Sequence, residues 1–328
     1  MKAAYIEKPG PPENIVFGQL PKPKPVGSQV LVKVKAVAVN PVDTYIRSGT
    51  YQFDLPKPFI VGCDLAGVVE AVGPDAIKFK PGDRVWGSIQ GLLGRQGTFA
   101  EFAAVDERWL YPTPEEVSDS DAAAMALVGI TAHLGCFRIA NLKMGEKVFV
   151  HGGTGGVGSC VIQMARAVGA KVITTAGSDK KVQTCRQLGA QAAINYKTDD
   201  LDAALSKFGP IDLWWECLRE QDFDLAVKHM AMNGRIIVMA GRDSRPPFPI
   251  GPFYLKDCSV HGFAMFNAPA EEQRKSAAEI NRWMARARLK PLIGQTMPLS
   301  KAADAHRLQE ENTLRGAGTL TGKIVLTV

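Results

Sequence analysis

Residues 148–158 read VFVHGGTGGVG, and no other stretch constrains the fold of this chain as strongly. Val148, Phe149 and Val150 form a short apolar run of the kind a buried strand carries. A glycine-dense turn follows. Val157, Cys160, Val161, Met164, Ala165 and Val168 then recur at helical spacing. Strand, glycine turn and helix in that order make the first unit of a dinucleotide-binding fold, and Gly153, Gly155 and Gly158 match G-x-G-x-x-G. In that pattern the first glycine permits the tight turn, the second lets the backbone approach a pyrophosphate, and the third allows close helix–strand packing. The helix N-terminus offers free N–H groups and a positive dipole end to the phosphates. Gly153, Thr154, Gly155, Gly156, Val157 and Gly158 are therefore the expected phosphate-binding turn. A glycine-rich turn with no ligand is the alternative.

The rest of the chain organises around this unit. Val30, Val32, Val34, Ala36 and Ala38 alternate as in a strand, Pro81-Gly82-Asp83 marks a turn before Arg84–Ser88, and Thr98–Val105 reads as another strand. Short strands separated by such turns suggest a small barrel or sandwich-like domain. Ser118 is an N-cap candidate, with Asp119 and Asp121 in the first helical turn. From Glu146 onward strands and helices alternate, which predicts a doubly wound parallel sheet. A helix and a final strand, Lys323–Val328, come last. The predicted division is 1–121, 122–267 and 268–328, with the middle segment as the Rossmann domain.

Composition narrows the function classes. The 328 residues fit two domains, and 46% hydrophobic with 22% charged residues is ordinary for a globular protein. The net charge of +6 is spread along the chain, which argues against a nucleic-acid surface. The densest basic stretch, Arg274–Lys290, carries an apolar stripe at Ala277, Ile280, Met284 and Ala287, so it reads as a solvated helix face. The N-terminal MKAAYIEKPG has no apolar h-region and no uninterrupted apolar run approaches a bilayer span, so neither a leader nor a membrane partner is expected. Six cysteines without a C-x-x-C pair suggest core thiols in a reducing, cytoplasmic setting.

Several ordered segments then carry a resemblance. NPVDTYIRSGTY at 40–51, GCDLAGVVEAVG at 62–73, KPGDRVWG at 80–87, GITA at 129–132, HGGTGGVG at 151–158 and TGKIVL at 321–326 are similar to the medium-chain dehydrogenase/reductases. More narrowly, the chain resembles the zinc-free, zeta-crystallin-like quinone oxidoreductases. The resemblance implies an α/β protein with a GroES-like, β-rich catalytic domain plus a Rossmann domain, and an active site in the cleft between them. It also implies a homodimer, for which Asp257–Met265 is the candidate edge strand.

Zinc members of the superfamily place a cysteine near the position of Asn40 and a His-Glu pair after a glycine, where this chain has Gly62-Cys63-Asp64. Zinc requires three or four converging ligands, and the five histidines are scattered, so no metal is expected. Cys63 remains a candidate only as the one potential ligand; a buried core thiol is the simpler reading.

NAD-binding folds usually place a carboxylate about 20 residues past the glycine turn, on the ribose 2′-hydroxyl. Here the second strand ends Thr174-Thr175-Ala176-Gly177-Ser178, and Asp179 is the nearest carboxylate. Ser178, Lys181 and Tyr196 suit a 2′-phosphate, which wants hydroxyl and cationic donors. Lys181 and Tyr196 also match the quinone reductase pattern, so NADPH (NADP) is the expected cofactor. Many relatives carry a basic residue shortly before the terminal Gly-Lys; this chain has Gly318 and Thr319 there, with Arg315 upstream.

Hydride transfer needs orientation more than acid–base machinery. The resemblance implies that Thr131 sits beside the nicotinamide, with helix packing as its alternative role. Gly241, Phe263 and Met265 are expected to contact the cofactor through backbone groups. Asn40, Asp43, Tyr45 and Tyr51 are the expected catalytic segment. Tyr51 would donate a hydrogen bond or proton to developing oxygen charge, or serve as an aromatic wall. Asn40 would orient substrate or ribose, unless Asn-Pro is simply a turn, and Asp43 would fix the loop. The expected activity is NADPH-dependent reduction of a quinone. Reduction of an activated alkene such as an enone or enoyl-CoA ester is the alternative, and a non-enzymatic nucleotide- or RNA-binding role is the remote one.

Overall fold

The computed structural model describes residues Met1–Val328. They form two units, Met1–Val128 with Ala270–Val328, and Gly129–Pro269. In chain order the first contains β1 (Lys2–Ile6), β2 (Val16–Gln19), β3 (Gln29–Val39), α1 (Pro41–Ser48), β4 (Phe59–Ile60), β5 (Leu65–Val72), β6 (Arg84–Gly87), β7 (Phe102–Asp106) and β8 (Leu110–Pro112). β3 carries the predicted alternation, and Val30, Val32, Val34, Ala36 and Ala38 are all buried. Val37 and Val39 are buried too, so the end of β3 is covered on both faces. The turn before β6 is made by Gly82 at φ 94° and by Asp83, whose carboxylate accepts a 2.9 Å bond from the Lys80 N–H. Strand β7 starts at Phe102 rather than Thr98, because the Thr98 and Phe99 N–H groups donate to the Val61 carbonyl at 3.2 and 3.0 Å instead of joining the ladder on β3.

Helix α2 (Asp119–His133) begins where the cap predicts, with the Asp121 N–H donating to Ser118 Oγ at 3.0 Å. It runs on through a π-helical turn to Ile139. By length and composition Asp119–Ile139 is apolar enough to cross a membrane, but 78% of its most apolar window is buried in the protein, as in a core helix.

The second unit alternates β9 (Lys147–Val150), α3 (Gly156–Ala167), β10 (Lys171–Ala176), α4 (Asp179–Leu188), β11 (Ala192–Asn195), α5 (Leu201–Phe208), β12 (Ile211–Glu216), α6 (Phe223–His229), β13 (Met230–Val238), α7 (Ile250–Leu255) and β14 (Ser259–Gly262). Its strands are parallel in the order β11-β10-β9-β12-β13-β14. The order reverses between β9 and β12, and that switch point is where open α/β sheets bind ligands, at the carboxyl ends of the strands. Phe149 and Trp214 are fully buried with ring centroids 4.0 Å apart, each worth about 2–3 kcal/mol of apolar burial. Helix α3 is buried continuously from Gly158 to Ala165 rather than along the predicted stripe, because it packs against β9, β10 and α4 together.

The chain then returns to the first unit with α8 (Ala270–Ala285), β15 (Ile293–Pro298), α9 (Ala302–Thr313) and β16 (Lys323–Thr327). α8 buries Ala277, Ile280 and Met284 as its stripe predicts, and Asn281 links it to the sheet, accepting from Trp86 Nε1 at 3.0 Å and donating to the Pro112 carbonyl at 2.7 Å. Strand β16 inserts between β15 and β3, parallel to one and antiparallel to the other. The resulting seven-stranded sheet is mixed, with order β15-β16-β3-β5-β6-β8 and β7 also on β3.

Candidate functional site

The glycine turn sits at the carboxyl end of β9. Gly152 N–H donates to Thr175 Oγ1 at 3.1 Å and Gly153 N–H to the Thr175 carbonyl at 3.0 Å, which ties the turn to β10. The left-handed residue is Gly152, at φ 69°, one position before the glycine to which the motif assigns the tight turn. Gly153 is required by packing instead, since a Cβ there would lie 2.3 Å from Thr174 Oγ1. A Cβ on Gly158 would lie 2.4 Å from the Gly152 carbonyl oxygen, so α3 presses directly on the turn. Gly155 is different: it is exposed, and a Cβ would meet only the Gly152 carbonyl oxygen, at 3.2 Å. Its bare face opens at the N-terminus of a twelve-residue helix, beside Gly156 and Val157, with Thr154 buried beneath. This surface fits a pyrophosphate.

The residues expected at the ribose end lie at the neighbouring strand ends. Ser178 caps α4 by accepting the Lys181 N–H at 3.4 Å, and Lys181 is half-buried, its pKa lowered by burial and then by the Lys197 charge. Tyr196 is exposed just beyond β11. Asp179 is drawn to Asn195, whose Nδ2 donates to its Oδ1 at 2.8 Å. Parallel strands bring all these groups to one edge of the sheet. Gly241 follows β13 at φ 84°, and Phe263 follows β14 with its ring edge-on to Trp215 at 6.4 Å. Met265 is buried, as is Thr131 within α2.

The switch point also holds a pair that the sequence motifs do not announce. His151 Nδ1 lies 2.7 Å from Glu216 Oε2, both buried, and Leu218 N–H donates to Glu216 Oε1 at 2.8 Å. The pair ties the ends of β9 and β12 together beneath the glycine turn. Its signal in the sequence was a glutamate closing the apolar run Leu213–Trp215.

The segment 40–51 folds as α1 and its flanks. Asn40 caps the helix, and the Asp43 carboxylate accepts the Asn40 backbone N–H at 2.8 Å, one half of a capping box. Tyr51 N–H donates to the Tyr45 carbonyl at 3.1 Å, and the two half-buried rings meet edge-on at 5.5 Å, with Phe53 edge-on to Tyr51 at 6.3 Å. Tyr45 and Tyr51 thus share one aromatic surface. Asn40 and Asp43 lie behind it, fully or almost fully buried.

That buried pair belongs to a polar cluster built around Lys323, a residue that lies in the TGKIVL segment but to which the motif reading gave no role. Its ammonium donates to the Val39 carbonyl at 2.6 Å and to Asn40 Oδ1. Asn40 Nδ2 donates to Asp64 Oδ2 at 2.7 Å, and Ser88 Oγ to Asp64 Oδ1 at 2.6 Å. Burial pushes the Asp64 pKa up while Lys323, Asn40 and Ser88 pull it down. Burial raises Asp43 to about 7, opposed by Cys63 and reinforced by the Asp64 charge. Burial also drives the Cys63 thiol upward, so it is a protonated core thiol. The cation among these groups is the lysine.

Comparison with known proteins agrees with this architecture. The family described as Alcohol dehydrogenase GroES-like domain matches residues 27–115, and Zinc-binding dehydrogenase matches residues 156–282. The quinone oxidoreductase of Homo sapiens is 36% identical over 332 residues, covering 99% of this chain and 97% of that protein. The 2-methylene-furan-3-one reductase of Solanum lycopersicum is 33% identical over 306 residues, covering 91% and 71%. Among solved structures, an NAD-dependent alcohol dehydrogenase matches with TM-score 0.88 at 30% identity, covering both chains completely. The quinone oxidoreductase of Escherichia coli complexed with NADPH matches with TM-score 0.87 at 25% identity, again over both whole chains. Similarity of this extent, on a GroES-like unit and a Rossmann unit, makes the chain an oxidoreductase that belongs to the quinone oxidoreductases of the medium-chain dehydrogenase/reductase superfamily.

Proposed function

We propose that the protein reduces quinones with NADPH and without zinc. One contrast carries the reading: the nucleotide-binding sheet edge ends without a carboxylate at the tip of β10 and bears Lys181 in the helix that follows, and the catalytic unit fills its buried anionic cluster with Lys323. Gly153–Gly158 and the N-terminus of α3 hold the pyrophosphate. Ser178, Lys181 and Tyr196 hold the 2′-phosphate. Thr131, Gly241, Phe263 and Met265 serve the nicotinamide half. Bound NADPH supplies the hydride. The protein orients the acceptor and excludes water, which is most of what hydride transfer asks of it.

Tyr51 donates a hydrogen bond to the oxygen on which charge develops, and Tyr45 holds its ring edge-on. Asn40 and Asp43 act from behind, as the cap that fixes where α1 starts. Zinc independence is supported by occupancy of charge: a divalent ion beside the Lys323 ammonium would meet direct repulsion in a buried setting.

The similarity to 2-methylene-furan-3-one reductase favours a second reading, reduction of a conjugated carbon–carbon double bond. We also propose a homodimer paired through β14, the end strand of its sheet. Val260 on that strand is 44% exposed, and Ile250, Tyr254 and Leu255 just before it are exposed by 66%, 63% and 68%. Val260→Lys should shift sedimentation toward the monomer; an unchanged profile refutes this interface.

The activity test is NADPH oxidation by purified protein with 1,4-naphthoquinone, an enone and an enoyl-CoA ester, each with and without chelator. Quinone turnover that survives chelation supports the proposal. Turnover abolished by chelation overturns zinc independence. Turnover of the alkenes alone replaces the first reading with the second.

A further inference from the structure

The junction of β10 and β11 carries more than the residues read from the motif. The two strands run in parallel register with Ala176 opposite Asn195. The next residues, Gly177 and Tyr196, leave the sheet together, and Lys197 follows at once in the turn after β11. Tyr196 N–H still reaches the Ala176 carbonyl at 3.2 Å, and the Tyr196 hydroxyl lies 2.6 Å from where a Cβ on Gly177 would be. Lys181 stands one turn into α4, near enough to Lys197 for the two charges to oppose each other. Two cations side by side cost free energy that an anion between them returns.

The nearby carboxylate is tied down at the end of β11. Asp179 Oδ1 accepts from Asn195 Nδ2 at 2.8 Å, and Asn195 Oδ1 accepts the Lys197 N–H at 3.2 Å. Asn195 is itself buried, with its own N–H bonded to the Asp199 carboxylate at 2.9 Å. One side chain thus restrains the acid and shapes the turn that presents the base.

We propose that Lys197 is a specificity-determining residue, pairing with Lys181 around a 2′-phosphate, and that Asn195 supports the same choice by holding Asp179 away from the ribose. The inference rests on the NADPH reading above. It adds a residue and a restraint that the strand-tip motif does not contain.

Calorimetric binding of 2′,5′-ADP and of 5′-AMP to the full chain tests it without any turnover. The wild-type protein should prefer 2′,5′-ADP. Lys197→Met should weaken 2′,5′-ADP about tenfold while leaving 5′-AMP within about twofold, and Lys197→Arg should restore most of the loss. Asn195→Ala should narrow the preference about fivefold, because the released carboxylate repels the phosphate. A Lys197→Met protein that keeps the wild-type preference, or that loses both ligands equally, overturns the inference and leaves the NADPH reading standing. A wild-type protein with no preference between the two ligands overturns the NADPH reading itself.

Discussion

Lys323 in the GroES-like unit and Lys181 in the Rossmann unit both stand at the margin of a regular element, under opposite conditions. Lys323 is 4% exposed, with a backbone carbonyl, an amide oxygen and a nearby carboxylate answering its charge. Lys181 is half-buried, and the charge that most affects it is another lysine. A buried cation whose partners are all internal is architecture, and removing it strands the groups it neutralised. A cation near a like charge at a sheet edge is the one the proposed phosphate site would use. Burial alone does not separate the two cases; the sign of the neighbouring charge does.

Breaking that contrast begins with the larger partner. Lys323→Met should cost about 3–5 kcal/mol, because Asp64 and Asn40 stay buried without their cation. Urea unfolding followed by tryptophan fluorescence measures it, and adding Asp64→Leu should recover part of the loss. A wild-type midpoint in the single variant would mean that Lys323 is not what holds the cluster.

The next effect is in pH. His306 is fully buried with neither ring nitrogen hydrogen-bonded, edge-on to Phe99 at 5.9 Å, and burial with the Arg47 charge lowers its pKa from 6.5 to about 3. The unfolded imidazole takes up a proton as pH falls through 6.5, while the folded one stays neutral to about 3. Stability from this residue is therefore complete above 6.5 and lost on acidification, by about 2 kcal/mol between pH 6.5 and 5. His306→Phe should flatten that limb of the stability profile; an unchanged slope would assign the acid sensitivity to other groups.

The smallest effect on stability belongs to the Rossmann side. Gly177→Ala should cost under about 1 kcal/mol, since the exposed Tyr196 can swing away from the new methyl. On the proposed role of Tyr196 it should nonetheless raise the NADPH KM about three- to tenfold with little change for NADH, because the displaced hydroxyl would be one that meets the 2′-phosphate. Equal changes for both cofactors would remove Tyr196 from that role.

The Rossmann unit was the more legible half. Its strands and helices follow hydrophobic period and glycine position, both local signals, and β9, α3 and β10 fall where Val148–Val168 and Lys171–Thr175 place them. What local pattern missed was contact over long separations. Asp64 and Lys323 are 259 positions apart in the chain, and nothing near either residue announces the other. The glycine motif named the correct turn yet gave the tight turn to Gly153, whereas the positive φ falls on Gly152 and packing is what requires Gly153, because spacing records where glycine is required but not whether φ or packing requires it. Lys197 gives no local signal for a similar reason: a lysine after a strand looks solvated until the fold brings its charge near Lys181.

The insertion of β16 between β15 and β3 has a consequence for how the protein is made. Strand β3 and its neighbours β5 to β8 emerge from a ribosome long before residues 323–327, so one side of β3 waits open while the whole Rossmann unit is synthesised. The later unit has its sheet complete by Gly262 and can fold during elongation, whereas the earlier one closes only when its final strand arrives with the ammonium that neutralises Asp64. Biogenesis therefore runs against chain order, and the nascent GroES-like half is the part of this protein that chaperones would have to guard.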